Sequence, residues 1–229
     1  KLNSKIFNQK FVNKIFPNPL CPDNGASVGA ALLADIKLNK SKVKPLKSLS
    51  LGPDYKDQYI KKLLIENQIK FQTPKNIYSY TAKLLAQKKI VGWFQGRMEA
   101  GPRALGNRSI LGDPRSIITR DKINKIIKYR EMWRPFCPSF LADKVDDFFY
   151  KSYDSKFMTI SYDANRVLKK IAPAIVHIDK TCRIQSVDKK YNSNFYKLIK
   201  EYYNITKVPT LLNTSFNIKG EPIVCTPND

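Results

Sequence analysis

Histidine is nearly absent from this chain, with one in 229 residues, His177. Its four cysteines, Cys21, Cys137, Cys182 and Cys225, are widely spaced and form no CxxC pair. That excludes a His-rich metal site, a cysteine zinc site and a disulfide scaffold within these residues, and the thiols are expected to be reduced and mostly buried, as in a cytoplasmic protein. A Ser-His-Asp triad has no spare base. No apolar run approaches the roughly 20 residues of a membrane span, so no membrane partner is expected. Neither GxxxxGK[ST] nor GxGxxG occurs, so the usual nucleotide-binding folds are not signalled. Acidic residues are scarce, 19 against 41 basic ones, for a net charge of +22. Such an excess is the usual footprint of nucleic-acid binding. Here Lys is spread along the whole chain and no nucleic-acid module is recognisable, so the charge names no partner and nucleic acid is not expected. The basic, amphipathic start KLNSKIFNQKF lacks an h-region and a cleavage site, so no signal peptide is expected. With no initiator Met and an end at TPND, the sequence reads as a piece of something longer.

Hydrophobic residues make up 42% and aromatic ones 11% of the chain, the composition of a globular protein with ample length for a core. Three segments separate. Residues 1–38 end in PNPLCPDNGASVGAALLADI, a Pro-rich approach, an Asp-Asn-Gly turn and a small-residue helix over 27–36. Residues 39–75 read as a basic linker with one short helix near 59–68. From 76 the chain becomes regular: a helix over 77–88, a strand over 90–94, and a helix over 120–129. Then come strands AIVHI (174–178) and CRIQSV (182–187) as a hairpin, a helix over 194–203, and strands VPTLLN (208–213) and EPIVC (221–225). Alternating helices and strands predict an α/β domain with a mixed sheet flanked by helices.

The richest stretch is GWFQGRMEAGPRALGNRSILGDPR, 92–115, read as a loop after the 90–94 strand. It gathers Arg97, Arg103, Arg108 and Arg115, the carboxylate of Glu99 and four internal glycines. Guanidinium forks bind phosphate or carboxylate oxygens in pairs, and glycine lets backbone approach a ligand closely, so the stretch looks built to hold an anion. INKIIKYREMWRPF (123–136) presents Lys128, Arg130, Glu131 and Arg134 around a helix end, with Lys128 and Arg134 suited to facing a polyphosphate. In HIDKTCRIQ (177–185), strand alternation puts His177, Asp179, Arg183 and Gln185 on one face. A satisfied core histidine and a ligand contact fit His177 equally well. LLNTSFNIKGEP (211–222) ends a strand in Asn213, Thr214 and Ser215, a neutral cradle for an anion or nucleotide. Many cations and donors with few nucleophiles suit electrostatic positioning of phosphates rather than covalent catalysis.

GRMEAGPRALGNRSIL, NKIIKYREMWRPF, HIDKTCRIQSV and PTLLNTSFNIKGEPIVCTP, in this order, resemble the O-carbamoyltransferases of the nodulation and antibiotic-tailoring type over residues 76–229. That span is similar to the family's YrdC-like carboxy-terminal domain. PDNGASVGAAL resembles the end of its Kae1-like (ASKHA) domain, most of which would lie upstream. The resemblance implies that the YrdC-like domain binds ATP, with Mg2+, and carbamoyl phosphate and makes carbamoyl-adenylate. The Kae1-like domain would then pass the carbamoyl group to a hydroxyl acceptor, often a sugar. It implies that Arg97, Arg103, Lys128, Arg134, His177, Arg183, Asn213 and Ser215 bind ATP or carbamoyl phosphate, with Lys128, Arg134, Arg183 and Ser215 as the catalytic set. Asp23 matches a metal-ligating aspartate whose histidine partners, with iron or another divalent metal, would lie upstream. A homodimer fits the same picture. Lys180 stands where such proteins usually carry Gly in an HxDG turn, and Met132-Trp133 where Pro-Phe is frequent. Two rival readings are a threonylcarbamoyl-adenylate synthase-like enzyme of tRNA modification and a basic RNA-binding module.

Overall fold

The computed structural model describes residues 2–21, 23–44 and 46–229; Lys1, Pro22 of the PDNG segment and Pro45 of the basic stretch lie outside them. Helices α1 (Leu2–Phe7), α2 (Asn24–Asn39), α3 (Asp57–Glu66) and α4 (Ile77–Ala86) come first. Strands β1 (Val91–Phe94) and β2 (Arg108–Gly112) follow, then α5 (Ile117–Lys122), which runs into a π turn at Ile123–Ile127. After β3 (Cys137–Leu141) come β4 (Ser161–Asp163), α6 (Arg166–Ile171), β5 (Thr181–Arg183), β6 (Gln185–Val187), α7 (Ser193–Thr206) and β7 (Thr210–Ser215).

Five strands make one mixed sheet in the order β1-β2-β7-β3-β6, antiparallel except for the parallel β3–β6 pair. β4 and β5 pair antiparallel as a separate ribbon. Helices α4 and α7 pack on each other, and α7 also lies against β3 and β7. Asparagine sets three helix starts: Asn76 accepts from Tyr78 and Ser79 amides, Asn165 from Leu168, and Asn192 from Phe195. Leu111, Leu211, Phe195 and Tyr202 are fully buried in the core, and so is Phe140, whose ring packs against Phe148 and Phe149. Burying each such side chain contributes about 1.5–3 kcal/mol.

The α/β class and the mixed sheet flanked by helices are as expected, but several elements differ. The 92–115 stretch is not one loop, because β2 forms inside it and is buried along its whole length between β1 and β7. AIVHI is not a strand. Pro173 opens a 3-10 turn over Pro173–Ile175 whose Ala174 amide donates to the Pro114 carbonyl, so the edge a hairpin partner would need is folded inward. CRIQSV divides at Ile184, its first part joining β4 and its second running parallel to β3. EPIVC forms no strand; the Val224 amide reaches the Phe216 carbonyl without a ladder around it. Lys180 adopts φ 63°, the left-handed region where glycine sits without a Cβ penalty. The turn survives the absence of glycine, held by the Lys180 amide on the His177 carbonyl.

Candidate functional site

A buried carboxylate shapes the site. Glu99 is 7% exposed, and its Oε1 accepts the backbone N–H groups of Leu105 at 2.6 Å and Asn107 at 2.7 Å. Burial raises its pKa, while these backbone donors pull the other way. The loop between Glu99 and β2 is thereby folded back on itself. Gly106 makes this possible at φ 101°, where a Cβ would meet the Phe195 ring at 2.1 Å. The folded loop brings Arg103 to a cleft of about 120 Å³ formed with the segment before β3, the end of β5 and the end of β7.

Three guanidinium groups line this cleft, those of Arg103, Arg130 and Arg183, and no carboxylate does. Arg130 follows Tyr129, a non-glycine residue at φ 44° that turns the chain sharply after the π turn. Its Nε donates to Asn124 Oδ1 at 2.7 Å, its guanidinium lies 4.6 Å from the Phe136 ring centre, and its buried Nη2 has no hydrogen-bond partner. Arg183 directs Nε and Nη2 at Cys137 Sγ, 3.0 and 2.9 Å away. Desolvation first, then the Arg183 charge, lowers the pKa of Arg103; desolvation and Arg134 do the same to Arg130. Cations held together against their mutual repulsion are what a bound anion relieves.

The floor is neutral. Asn213 is 1% exposed, and its Nδ2 donates to the Ala104 carbonyl at 3.2 Å and to Ser139 Oγ at 2.9 Å. Ser139 gives its own proton to Gln185 Oε1, and Gln185 Nε2 donates to the Leu105 carbonyl. Both acceptors fix the amide nitrogen, so Asn213 Oδ1 is the atom left over, buried and without a partner. An unpaired polar atom of this kind costs about 1–3 kcal/mol unless a ligand or water satisfies it.

Of the expected site residues, Arg103, Arg183, Asn213 and Ser215 meet in this cleft. Lys128 is displaced from it: its Nζ donates to the Ser215 and Asn217 carbonyls, Ser215 Oγ and Asn217 Oδ1 at 2.6–3.2 Å. Burial and the neighbouring Arg130 lower its pKa to about 8. Its contacts make it a clamp on the turn after β7. Arg134 stands beside the cleft in an exposed pair with Glu131, Nε to Oε2 3.0 Å. Arg97 ties the 51–52 backbone down through the Leu51 and Gly52 carbonyls. His177 reaches Thr181 Oγ1 and the Phe136 carbonyl, each at 3.2 Å, and so braces the cleft wall from behind. Asp23 is exposed, and among the described residues no group of three or more His, Cys, Asp or Glu side chains gathers anywhere.

Arg130 is named from the sequence in the 123–136 segment but not among the expected binding residues, and Cys137 is not among them either. The π turn carries the Lys128 amide to the Ile123 carbonyl, five residues back. That spacing rotates the following side chains relative to a regular helix, so Arg130 rather than Lys128 lines the cleft.

Residues 82–229 match the family model described as "Carbamoyltransferase C-terminus". An uncharacterized protein of Methanocaldococcus jannaschii is 39% identical over 238 residues, covering 100% of this chain and 39% of that protein. An uncharacterized protein of Synechocystis is 36% identical over 99% of this chain and 42% of its own length. Nodulation protein NolNO of Sinorhizobium fredii is 38% identical over 97% of this chain and 34% of its own. The chain spans less than half the length of these relatives. The match over 82–229 takes in every residue of the arginine cleft, and on it the chain belongs to the carbamoyltransferase C-terminus family.

Proposed function

We propose that the chain is the anion-activating part of a carbamoyltransferase, in which the arginine cleft holds carbamoyl phosphate and the phosphates of ATP. There carbamoyl-adenylate would form for transfer to a hydroxyl acceptor, such as a sugar. One observation carries this reading: three guanidinium groups and a buried, unpaired amide oxygen converge on a cleft with no carboxylate in its lining. A volume of about 120 Å³ suits one phosphate-sized group, whereas whole drug-sized ligands occupy roughly 300–1,000 Å³. The adenosine of ATP would then lie across the mouth.

In this scheme Arg103, Arg130 and Arg183 offset phosphate charge through paired N–H donors. Asn213 Oδ1 accepts from the carbamoyl NH2, an amide donor that plain phosphate lacks, and so favours that ligand. Lys128 acts through Ser215, holding the turn that forms one wall. Arg134 can leave Glu131 at small cost, since an exposed pair contributes about 0–1 kcal/mol. The acceptor site and any resident metal belong to sequence upstream of this chain on this reading. Cytoplasmic location and Mg2+ brought in with ATP complete the proposal.

Calorimetry with carbamoyl phosphate and inorganic phosphate tests it, together with ATP–pyrophosphate exchange dependent on carbamoyl phosphate. Carbamoyl phosphate should bind more tightly than phosphate, and Asn213→Ala should erase that preference. A chain that binds neither anion would end this reading. Exchange stimulated by threonine and bicarbonate instead would transfer it to the threonylcarbamoyl-adenylate class.

A further inference from the structure

We propose that Cys137 is a modification site built into the arginine cleft, a thiol that small anionic electrophiles and peroxides reach past the arginines and that a bound phosphate group shields. The proposal rests on the anion-binding reading of the cleft. Cys137 opens β3, is 8% exposed, and lines the cleft. Two N–H donors of Arg183 point at its sulfur, at 3.0 and 2.9 Å, so the sulfur receives hydrogen bonds from a cation. The same guanidinium that holds the sulfur in place draws anionic reagents to it. Directly opposite in the β3–β7 register stands Asn213, whose buried Oδ1 lacks a partner in the same cleft. That atom marks the place as built for a ligand independently of the cysteine.

Cys182 and Cys21 lack these surroundings. Cys182 is fully buried and donates to the Ile175 carbonyl at 3.1 Å, and burial pushes its thiol up. Cys21 is exposed and donates to the Asn18 carbonyl at 2.7 Å. With iodoacetate, the Cys137 sulfur attacks the methylene carbon, a C–S bond forms, iodide leaves, and the thiol proton passes to solvent. With a peroxide, the sulfur attacks one oxygen and the O–O bond breaks. Sulfur loses two electrons to become a sulfenic acid, and the peroxide is reduced to water or alcohol. Either adduct occupies space sized for one phosphate and takes the sulfur from Arg183, so the modified cleft no longer accepts its anion.

The test compares alkylation rates at Cys137 and Cys21 in the same protein, by mass spectrometry of peptides, using iodoacetate and neutral iodoacetamide. Concentration of anions among three arginines should raise the iodoacetate-to-iodoacetamide rate ratio at Cys137 at least about tenfold over that at Cys21. Inorganic phosphate should slow Cys137 and leave Cys21 unchanged, and Arg103→Ala should lower the ratio at Cys137. Peroxide should abolish phosphate binding and a thiol reductant restore it, whereas in Cys137→Ala peroxide should have no further effect. Equal ratios at the two cysteines would overturn the proposal. So would phosphate that binds by calorimetry yet leaves the Cys137 rate untouched, which would leave the functional reading standing. Failure of phosphate to bind at all sinks both.

Discussion

Two regions of this molecule use arginine in opposite ways. At the end of β2, Asp113 is fully buried and takes three side-chain bonds from Arg115, at 2.7–3.1 Å, one from the Tyr202 hydroxyl at 2.7 Å and one from the Arg115 amide. The hydrogen bonds to Asp113 raise the Arg115 pKa. In the cleft, Arg103 and Arg130 face like charge, and both have lowered pKa values. Compensation separates the two uses. A guanidinium whose donors end on a buried carboxylate is part of the framework. One held beside other guanidiniums with a donor unspent is suited to the anion proposed for the cleft. Arg108 stands between the two: the Gln95, Gly96 and Asn107 carbonyls and the Phe94 ring hold most of its guanidinium, while its buried Nε has no partner.

The largest expected effect breaks the framework side. Asp113→Asn should destabilise the chain by about 3–5 kcal/mol and lower Tm by on the order of 10 °C, because it takes the charged acceptor from the buried Tyr202 hydroxyl and the half-buried Arg115 guanidinium. A shift within 2 °C of wild type by calorimetric scanning would show that the pair is not structural.

The cleft should behave in the reverse manner. Arg103→Ala and Arg130→Ala should each cost about 1.5–3 kcal/mol of phosphate affinity, roughly tenfold to a hundredfold, with Tm unchanged or raised. A mutant that melts early and still binds phosphate would move its arginine to the framework group.

Lys128 sharpens the boundary between the two. Its folded value near 8 lies below its ordinary 10.5, so the folded state gives up this proton first. Between about pH 8 and 10.5 the unfolded state binds more protons, and stability should rise with pH by roughly 1 kcal/mol per unit from this group. Urea unfolding across that window should show the rise in wild type and lose it in Lys128→Met; identical slopes would contradict the assignment. The smallest effect belongs to the exposed Arg134–Glu131 pair, where Glu131→Ala should change stability by less than about 1 kcal/mol. A larger loss in denaturant titration would mean that Arg134 is held in place rather than free to turn to a ligand.

Several features were legible without coordinates because they depend on neighbours in sequence. The helices over 57–66, 77–86 and 193–206 follow from apolar spacing, and in the structure Asn76 and Asn192 cap the last two. β7 follows from its β-branched and leucine run. β2 was hidden because Arg108 at its start reads as a solvated charge, and only the carbonyls around it make burial tolerable. β3 was hidden by Pro138, which cannot donate to a ladder. It is tolerated because the pairing with β6 starts one residue later, at Ser139.

By itself the sequence determined the α/β class and the family, and it singled out the Gly/Arg stretch on which the proposed anion site rests, since residue type and local order suffice for these. Which cations serve the cleft was decided only in three dimensions. Whether Lys128 or Arg130 faces it depends on a π turn and on φ 44° at Tyr129. Whether an arginine is spent or available depends on partners as distant as Arg183 and Cys137, 46 residues apart. Charge compensation is a property of space, and no window of neighbouring residues contains it.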